Sequence, residues 1–185
     1  MSRMTICLDP GHGMGNRRAG RYDPGASADG VTEAEIVMDW ANELRSILQR
    51  CGARVIRTRV DHQDPAPIGR RASIAKEYGC DIMLSLHCNA FNGSANGTET
   101  FFRGAVNETL AREVNAAVVG ALGTRSRGIK TESASQHSRL AVLNFPRAVL
   151  LEIGFIDHAG NREKMLDPSL RRDACEALAG VLMRG

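Results

Sequence analysis

Thr5-Ile6-Cys7-Leu8-Asp9-Pro10-Gly11-His12-Gly13 decides how the rest of this chain is read. A short apolar run with β-branched residues, stopped by a proline and two glycines, predicts a buried strand that ends on His12. Glycine on both sides leaves the imidazole uncrowded and frees the backbone to adopt angles other residues avoid, which suits a ligand held at a sheet edge. A tight turn with an incidental histidine is the competing reading, and other segments must decide between them.

Asp81-Ile82-Met83-Leu84-Ser85-Leu86-His87 repeats the pattern, an apolar run between Gly79 and the polar stretch from Asn89 to Asn96, and predicts a second buried strand ending on a histidine. Ala148-Val149-Leu150-Leu151-Glu152-Ile153 predicts a third, with a carboxylate near its C-terminal end. Further strands are expected at Ala53 to Thr58, Thr98 to Phe102 and Leu140 to Leu143. Thr32-Glu33-Ala34-Glu35 reads as a capping box that starts a helix, in which Ile36, Val37, Trp40, Leu44, Ile47 and Leu48 share a face and Gly52 supplies the stop. A short helix up to Tyr78, one from Asn107 to Leu122 capped by Asn107, and one from about Ser169 to Met183 follow. Met14 to Gly30, Asp61 to Pro67 and Gly123 to Ser138 read as loops, the first with Arg17, Arg18 and Arg21 as a basic rim.

Strands and helices alternate, and the apolar strands lack the clean alternation of a half-exposed sheet. The expected architecture is therefore α/β, a single domain over residues 1–185 with an open, mostly parallel twisted sheet flanked by helices on both faces. The 185 residues are 43% hydrophobic, enough for one sizeable core, and 24% charged, as in ordinary globular proteins. Net charge is only +3 and aromatic residues are 4%, so a nucleic-acid partner is not expected. The five cysteines form no Cys-x-x-Cys pair and read as reduced thiols, mostly buried. No apolar run approaches the roughly 20 residues that cross a bilayer. The start, Met1-Ser2-Arg3-Met4, carries no recognisable signal peptide, so synthesis in the cytoplasm is expected.

In open α/β sheets the ligand crevice lies beyond the C-terminal ends of the strands, where this reading collects His12, His87 and Glu152, with Glu33 at a helix start. Two histidines and a carboxylate form the ligand set of many catalytic zinc sites, which keep a fourth position for water. Four groups suffice for three ligands and one base. Glu33 is preferred to Glu35, because the capping box already accounts for Glu35. Glu152 is the hardest to explain without function, since an ionised carboxylate among Val, Leu and Ile needs a partner or a shifted pKa.

The motifs Asp9-Pro10-Gly11-His12-Gly13, Asp23-Pro24-Gly25-Ala26, Gly30-x-x-Glu33, Ser85-Leu86-His87-Cys88-Asn89-Ala90 and Leu151-Glu152-Ile153-Gly154-Phe155 resemble, in order, those of the zinc-dependent N-acetylmuramoyl-L-alanine amidases of the amidase-3 type. Arg57-Thr58-Arg59 and Ile68-x-x-Arg71 also fall where such domains carry a Thr-Arg strand end and a Leu-x-x-Arg helix. The resemblance covers nearly the whole chain. It implies one Zn²⁺ per chain held by His12, Glu33 and His87, Glu152 as the catalytic glutamate, and Asn89 as a group that supports the ligands or touches substrate. It also implies that the substrate is peptidoglycan and the scissile bond the amide joining N-acetylmuramic acid to L-alanine. An enzyme of this kind made without a leader is similar to a phage or prophage lysin, released to the wall by a separate pore protein. Two departures stand out: Met14 to Tyr22 lengthens the segment after the first histidine, and Cys88 follows the second where alanine is common. Alternation along a strand puts Cys88 in the core, away from the metal.

Two other readings use the same residues. A nucleotide-binding module would use Gly11-x-Gly13-x-Gly15 as a phosphate loop, which requires a helix immediately afterwards. A non-catalytic peptidoglycan-binding protein would keep the fold without turnover.

Overall fold

A computed structural model describes residues 3–184; residues 1, 2 and 185 lie outside it, and the expectation about the extreme N-terminus falls partly on Met1 and Ser2. Six strands form one sheet: β1 (Thr5–Pro10), β2 (Arg54–Arg57), β3 (Ile82–Asn89), β4 (Thr98–Phe102), β5 (Ser126–Thr131) and β6 (Ala148–Phe155), in the spatial order β2-β1-β3-β6-β4-β5. The first four of that order are mutually parallel, β4 runs antiparallel to β6, and β5 runs parallel to β4. The helices are α1 (Glu33–Arg50), α2 (Arg71–Glu77), α3 (Glu108–Leu122), α4 (Ala159–Leu166) and α5 (Pro168–Leu182).

The capping box forms as the sequence predicts. The Thr32 hydroxyl accepts from the Glu35 N–H, the Glu35 carboxylate accepts from the Thr32 N–H, and Glu33 thereby becomes the first residue of α1. The apolar stripe of α1 is buried, and the Trp40 indole N–H donates to the Met165 carbonyl at 3.0 Å, so the largest core side chain leaves no polar atom stranded.

The two faces of the sheet are covered unequally, and this makes room for a site. On one face α1, α3 and α5 pack over Ile6, Leu8, Leu84, Leu86, Val149 and Leu151. On the other, Cys7, Met83, Leu150 and Phe101 cluster with Ala72 and Ala75 of the short α2, with Val142 and Leu143 of a 3₁₀ turn at Ala141–Asn144, and with the adjoining Phe145. That thinner cover leaves the C-terminal ends of β1, β3 and β6 open above it. No helix of the described residues is long and apolar enough to cross a membrane.

Some segments depart from expectation. Leu140 to Leu143 is not a strand: Ala141–Asn144 is a 3₁₀ turn closed by the Leu143 N–H on Leu140 O and the Phe145 N–H on Val142 O. Four apolar residues carry no period that separates the two conformations. Gly123 to Ser138 is not all loop, because it contains the edge strand β5. Asn107 precedes α3 without capping it; its Nδ2 donates instead to the carbonyls of Arg103 and Pro146. Met14 to Gly30 folds into two small antiparallel ladders, Gly13–Met14 with Tyr22–Asp23 and Ser27–Ala28 with Val31–Thr32. The glycines after β1 therefore lead into a hairpin, and α1 begins only at Glu33, which removes the helix terminus that a phosphate loop requires.

Candidate functional site

The turn after β1 is built by two buried arginines. Arg59 donates from Nε to the Pro10 carbonyl (2.9 Å) and from Nη2 to the Gly11 carbonyl (2.8 Å). Arg71 donates from Nη1 to Pro10 O (3.0 Å) and from Nη2 to His12 O (2.6 Å). Three successive carbonyls are thus tied down, which holds His12 at φ 60°, a left-handed conformation that a non-glycine residue adopts only when its surroundings impose it. Asp9, 0% exposed, answers the charge: its Oδ1 accepts from Arg71 Nη1 (2.7 Å) and the Thr58 hydroxyl (2.5 Å), and its Oδ2 from the Ser85 hydroxyl (2.6 Å). Burial opposes ionisation of Asp9, but Arg71 and the two hydroxyls outweigh it and keep the carboxyl below its ordinary range. Burial, reinforced by the neighbouring Arg71, pulls Arg59 down to about 10.

Above this base, the carboxylate of Glu33 stands between two imidazoles. Its Oε2 lies 3.0 Å from His12 Nε2 and its Oε1 lies 2.9 Å from His87 Nδ1. One ligand atom from each of the three residues falls within 4.8 Å of the others. The opposite ring nitrogen of His12, Nδ1, bonds Asp23 Oδ2 at 3.1 Å, which fixes the ring and presents Nε2 to the cluster. Asp23 is itself held by Asn16 Nδ2 and the Gly25 N–H. Glu33 also accepts from the N–H groups of Ala26 and Cys88, and, although burial works against it, the bonds from both histidines hold its carboxyl far below the usual carboxylate range. Two glycines are sterically required here. A Cβ at Gly11 would stand 2.3 Å from the His87 ring, and one at Gly25 would stand 2.5 Å from Glu33 Oε2.

Glu152 lies beside this cluster because of strand register. His87 on β3 pairs with Glu152 on β6, and Glu152 pairs with Glu99 on β4, so the three side chains form one row across the open face. Glu152 Oε2 is buried and has no hydrogen-bond partner among the described residues. Burial, reinforced by the charges of Glu33 and Glu99, pushes its carboxyl well above the ordinary value. Glu35 stays on the helix surface in its capping role. Cys88 is buried on the other face with its sulfur 3.7 Å from that of Met165, as alternation predicts, and contributes only its N–H to the cluster. Asn89 donates from Nδ2 to Glu99 Oε1 at 2.9 Å and lines the cleft.

The cluster and Glu152 line a cleft of about 560 Å³ whose walls come from the loops after β1, β3 and β5. Arg17 of the expected basic rim lines it. Residue-by-residue reading missed the structural role of Arg59 and Arg71, because fully buried arginines are rare and periodicity gives no sign of them. It also missed Glu99, Arg127 and Lys130, which line the far end of the cleft; Glu99 sits in a strand just as Glu152 does, but between Thr98 and Thr100, without the apolar neighbours that single out Glu152.

An α/β sheet that gathers two histidines and two carboxylates at the mouth of a cleft has the layout of a hydrolase catalytic domain. The chain belongs to the N-acetylmuramoyl-L-alanine amidase family: the family model Amidase_3 matches residues 6–183. It is similar to an uncharacterized cell wall amidase of Bacillus anthracis, 34% identical over 96% of this chain and 35% of that protein. It is also similar to the N-acetylmuramoyl-L-alanine amidase LytC of Bacillus subtilis (strain 168), 29% identical over 94% of this chain and 34% of that protein. The chain spans about a third of the length of these two relatives. The fold matches the solved catalytic domain of CwlV, an N-acetylmuramoyl-L-alanine amidase from Bacillus (Paenibacillus) polymyxa, with a TM-score of 0.85 and 22% identity, covering 98% of this chain and 97% of that one.

Proposed function

We propose that this chain hydrolyses the amide between N-acetylmuramic acid and L-alanine in peptidoglycan, with one Zn²⁺ per chain held by His12, Glu33 and His87 and with Glu152 as the proton carrier. The observation that carries the reading is the convergence of one ligand atom from each of His12, Glu33 and His87 within 4.8 Å, beside the half-buried carboxyl group of Glu152, in a chain of this family. The donor set fits the ion. Donors around a tetrahedral zinc stand about 3.3 Å apart, so small side-chain shifts suffice to close this cluster on a metal. The Asp23 bond to His12 Nδ1 supplies the outer carboxylate that such a histidine needs.

Zinc bound there supplies Lewis acidity toward the scissile carbonyl and a water nucleophile at neutral pH. The protein does the rest. Glu152 Oε2, which has no hydrogen-bond partner among the described residues, is free to accept the proton lost by the attacking water and to return it to the leaving amine of L-alanine. Arg59 and Arg71 take no part in proton transfer; they fix the turn that carries His12. A protein that only bound peptidoglycan would have no use for a carboxyl oxygen that is buried without a partner among the described residues, which disfavours the non-catalytic reading.

The test is direct. Zinc-loaded protein incubated with purified peptidoglycan is expected to release new alanine amino termini without new reducing sugar ends, and a chelator should stop the release until zinc is restored. Release of reducing ends alone, or no alanine termini from the zinc-loaded protein, would overturn the proposal.

A further inference from the structure

Beyond Glu152 the row of side chains continues into a cationic group that the proposed chemistry does not use. Glu99, 5% exposed, accepts at one oxygen from both Arg127 Nε (2.7 Å) and Lys130 Nζ (2.6 Å), while its other oxygen accepts from Asn89 Nδ2 (2.9 Å). One carboxylate therefore faces two cations and leaves a net positive charge at this end of the cleft.

Local backbone structure brings the two cations together. Arg127 and Lys130 are three residues apart, and strict strand alternation would send them to opposite faces. The β4–β5 register shifts between Thr98 and Thr100, whose partners are Ser126 and Ile129, so one extra residue bulges from β5. Gly128, at φ 78°, takes the left-handed conformation within that bulge. Both side chains then reach Glu99 and the cleft. Each is also seated on an aromatic ring, the Arg127 guanidinium 5.0 Å from the Phe155 centroid and Lys130 Nζ 5.9 Å from that of Phe101. Among the described residues the two terminal guanidinium nitrogens of Arg127 have no hydrogen-bond partner, so the group keeps a free two-pronged donor edge.

We infer that Arg127 and Lys130 form a binding site for a carboxylate of the peptide on the amine side of the scissile amide, within the first three residues. The inference rests on the proposed amidase function. The glycan side of that bond offers hydroxyl and acetamido groups, which are uncharged, so free carboxylates come from the peptide. Distance sets the position. Neighbouring strands are about 4.8 Å apart, which places Glu99, two strands from His87, roughly 10 Å along the cleft, and an extended peptide covers that in two to three residues at about 3.3 Å each. Glu99 is the positioning residue: it holds both cations without satisfying them.

The experiment uses the zinc-loaded enzyme and two synthetic muramoyl tripeptides, identical except that the carboxyl groups of the second and third residues are all free in one and all carboxamides in the other. Wild type is expected to prefer the carboxylate form by about tenfold in kcat/KM, expressed in KM, and Arg127→Gln to abolish the preference. Lys130→Gln should weaken it in the same direction, which guards against a folding defect peculiar to one variant. Equal KM for the two substrates in wild type, or a fall in kcat with the preference intact in both variants, would overturn the inference. Calorimetric titration with the free alanyl peptide and its carboxamide reads the site without turnover. Tighter binding of the carboxylate form by wild type and not by Arg127→Gln supports the site even if hydrolysis fails, and equal binding of both forms refutes it even if hydrolysis succeeds.

Discussion

Glu152→Gln is expected to lower kcat by about 10²–10⁴-fold, the usual contribution of a positioned proton carrier, while zinc content stays at the wild-type level. The substitution keeps size and shape and removes only the ability to take and return a proton. Metal retention follows from the placement of Glu152 one strand beyond His87, outside the cluster of ligand atoms. Stability provides a second readout. Glu152 Oε2 is buried without a partner among the described residues, so an ionised carboxylate there opposes folding, and its replacement should leave Tm unchanged or raise it. Measuring turnover, zinc content and Tm on one preparation separates the possibilities. Full activity in Glu152→Gln would remove the residue from the mechanism, and a large fall in Tm would make it a structural group instead.

Asp9→Ala should have the largest effect on stability. It leaves Arg71 buried without its carboxylate and strips the Thr58 and Ser85 hydroxyls of their acceptor, a loss of about 3–5 kcal/mol. For a domain of this size that corresponds to a Tm lower by roughly 10 °C. The pH dependence has a definite sign. The pKa of Asp9 is lower in the folded state than the unfolded value of about 3.9, so its contribution is complete above that value and disappears as pH falls through the folded pKa. Thermal denaturation across the acid range should therefore show a steeper loss of stability in wild type than in Asp9→Ala. Parallel curves, or a Tm within a degree or two of wild type at pH 7, would show that Asp9 does not hold the turn that carries His12.

The sheet was legible because β1, β3 and β6 are buried on both faces and read as uninterrupted apolar runs. The gathering of His12, Glu33 and His87 followed from two apolar runs leading to a histidine and from a capping box that left Glu33 without another duty, although neither strand ends on its histidine: His12 lies two residues past the end of β1, and β3 continues two residues beyond His87. β5 was hidden for a physical reason. It is an edge strand of Ser, Arg, Gly, Ile, Lys and Thr whose bulge breaks the period that pattern reading relies on. The 3₁₀ turn at Ala141–Asn144 was hidden because four apolar residues fit a strand equally well. The arginines that brace the turn carrying His12 act through backbone carbonyls from 48 to 61 residues away in sequence, a range that no local pattern records.

Metal content by elemental analysis tests the central claim most directly, on wild type and on His12→Ala, Glu33→Ala and His87→Ala, with Glu35→Ala as the control. One zinc per chain in wild type and in the control, and loss of zinc in the other three, is the predicted result. Glu35→Ala should sacrifice only its part of the capping box, about 1 kcal/mol, and keep the metal. Wild-type protein that takes up no zinc, or zinc retained after each of the three ligand substitutions, would contradict the account.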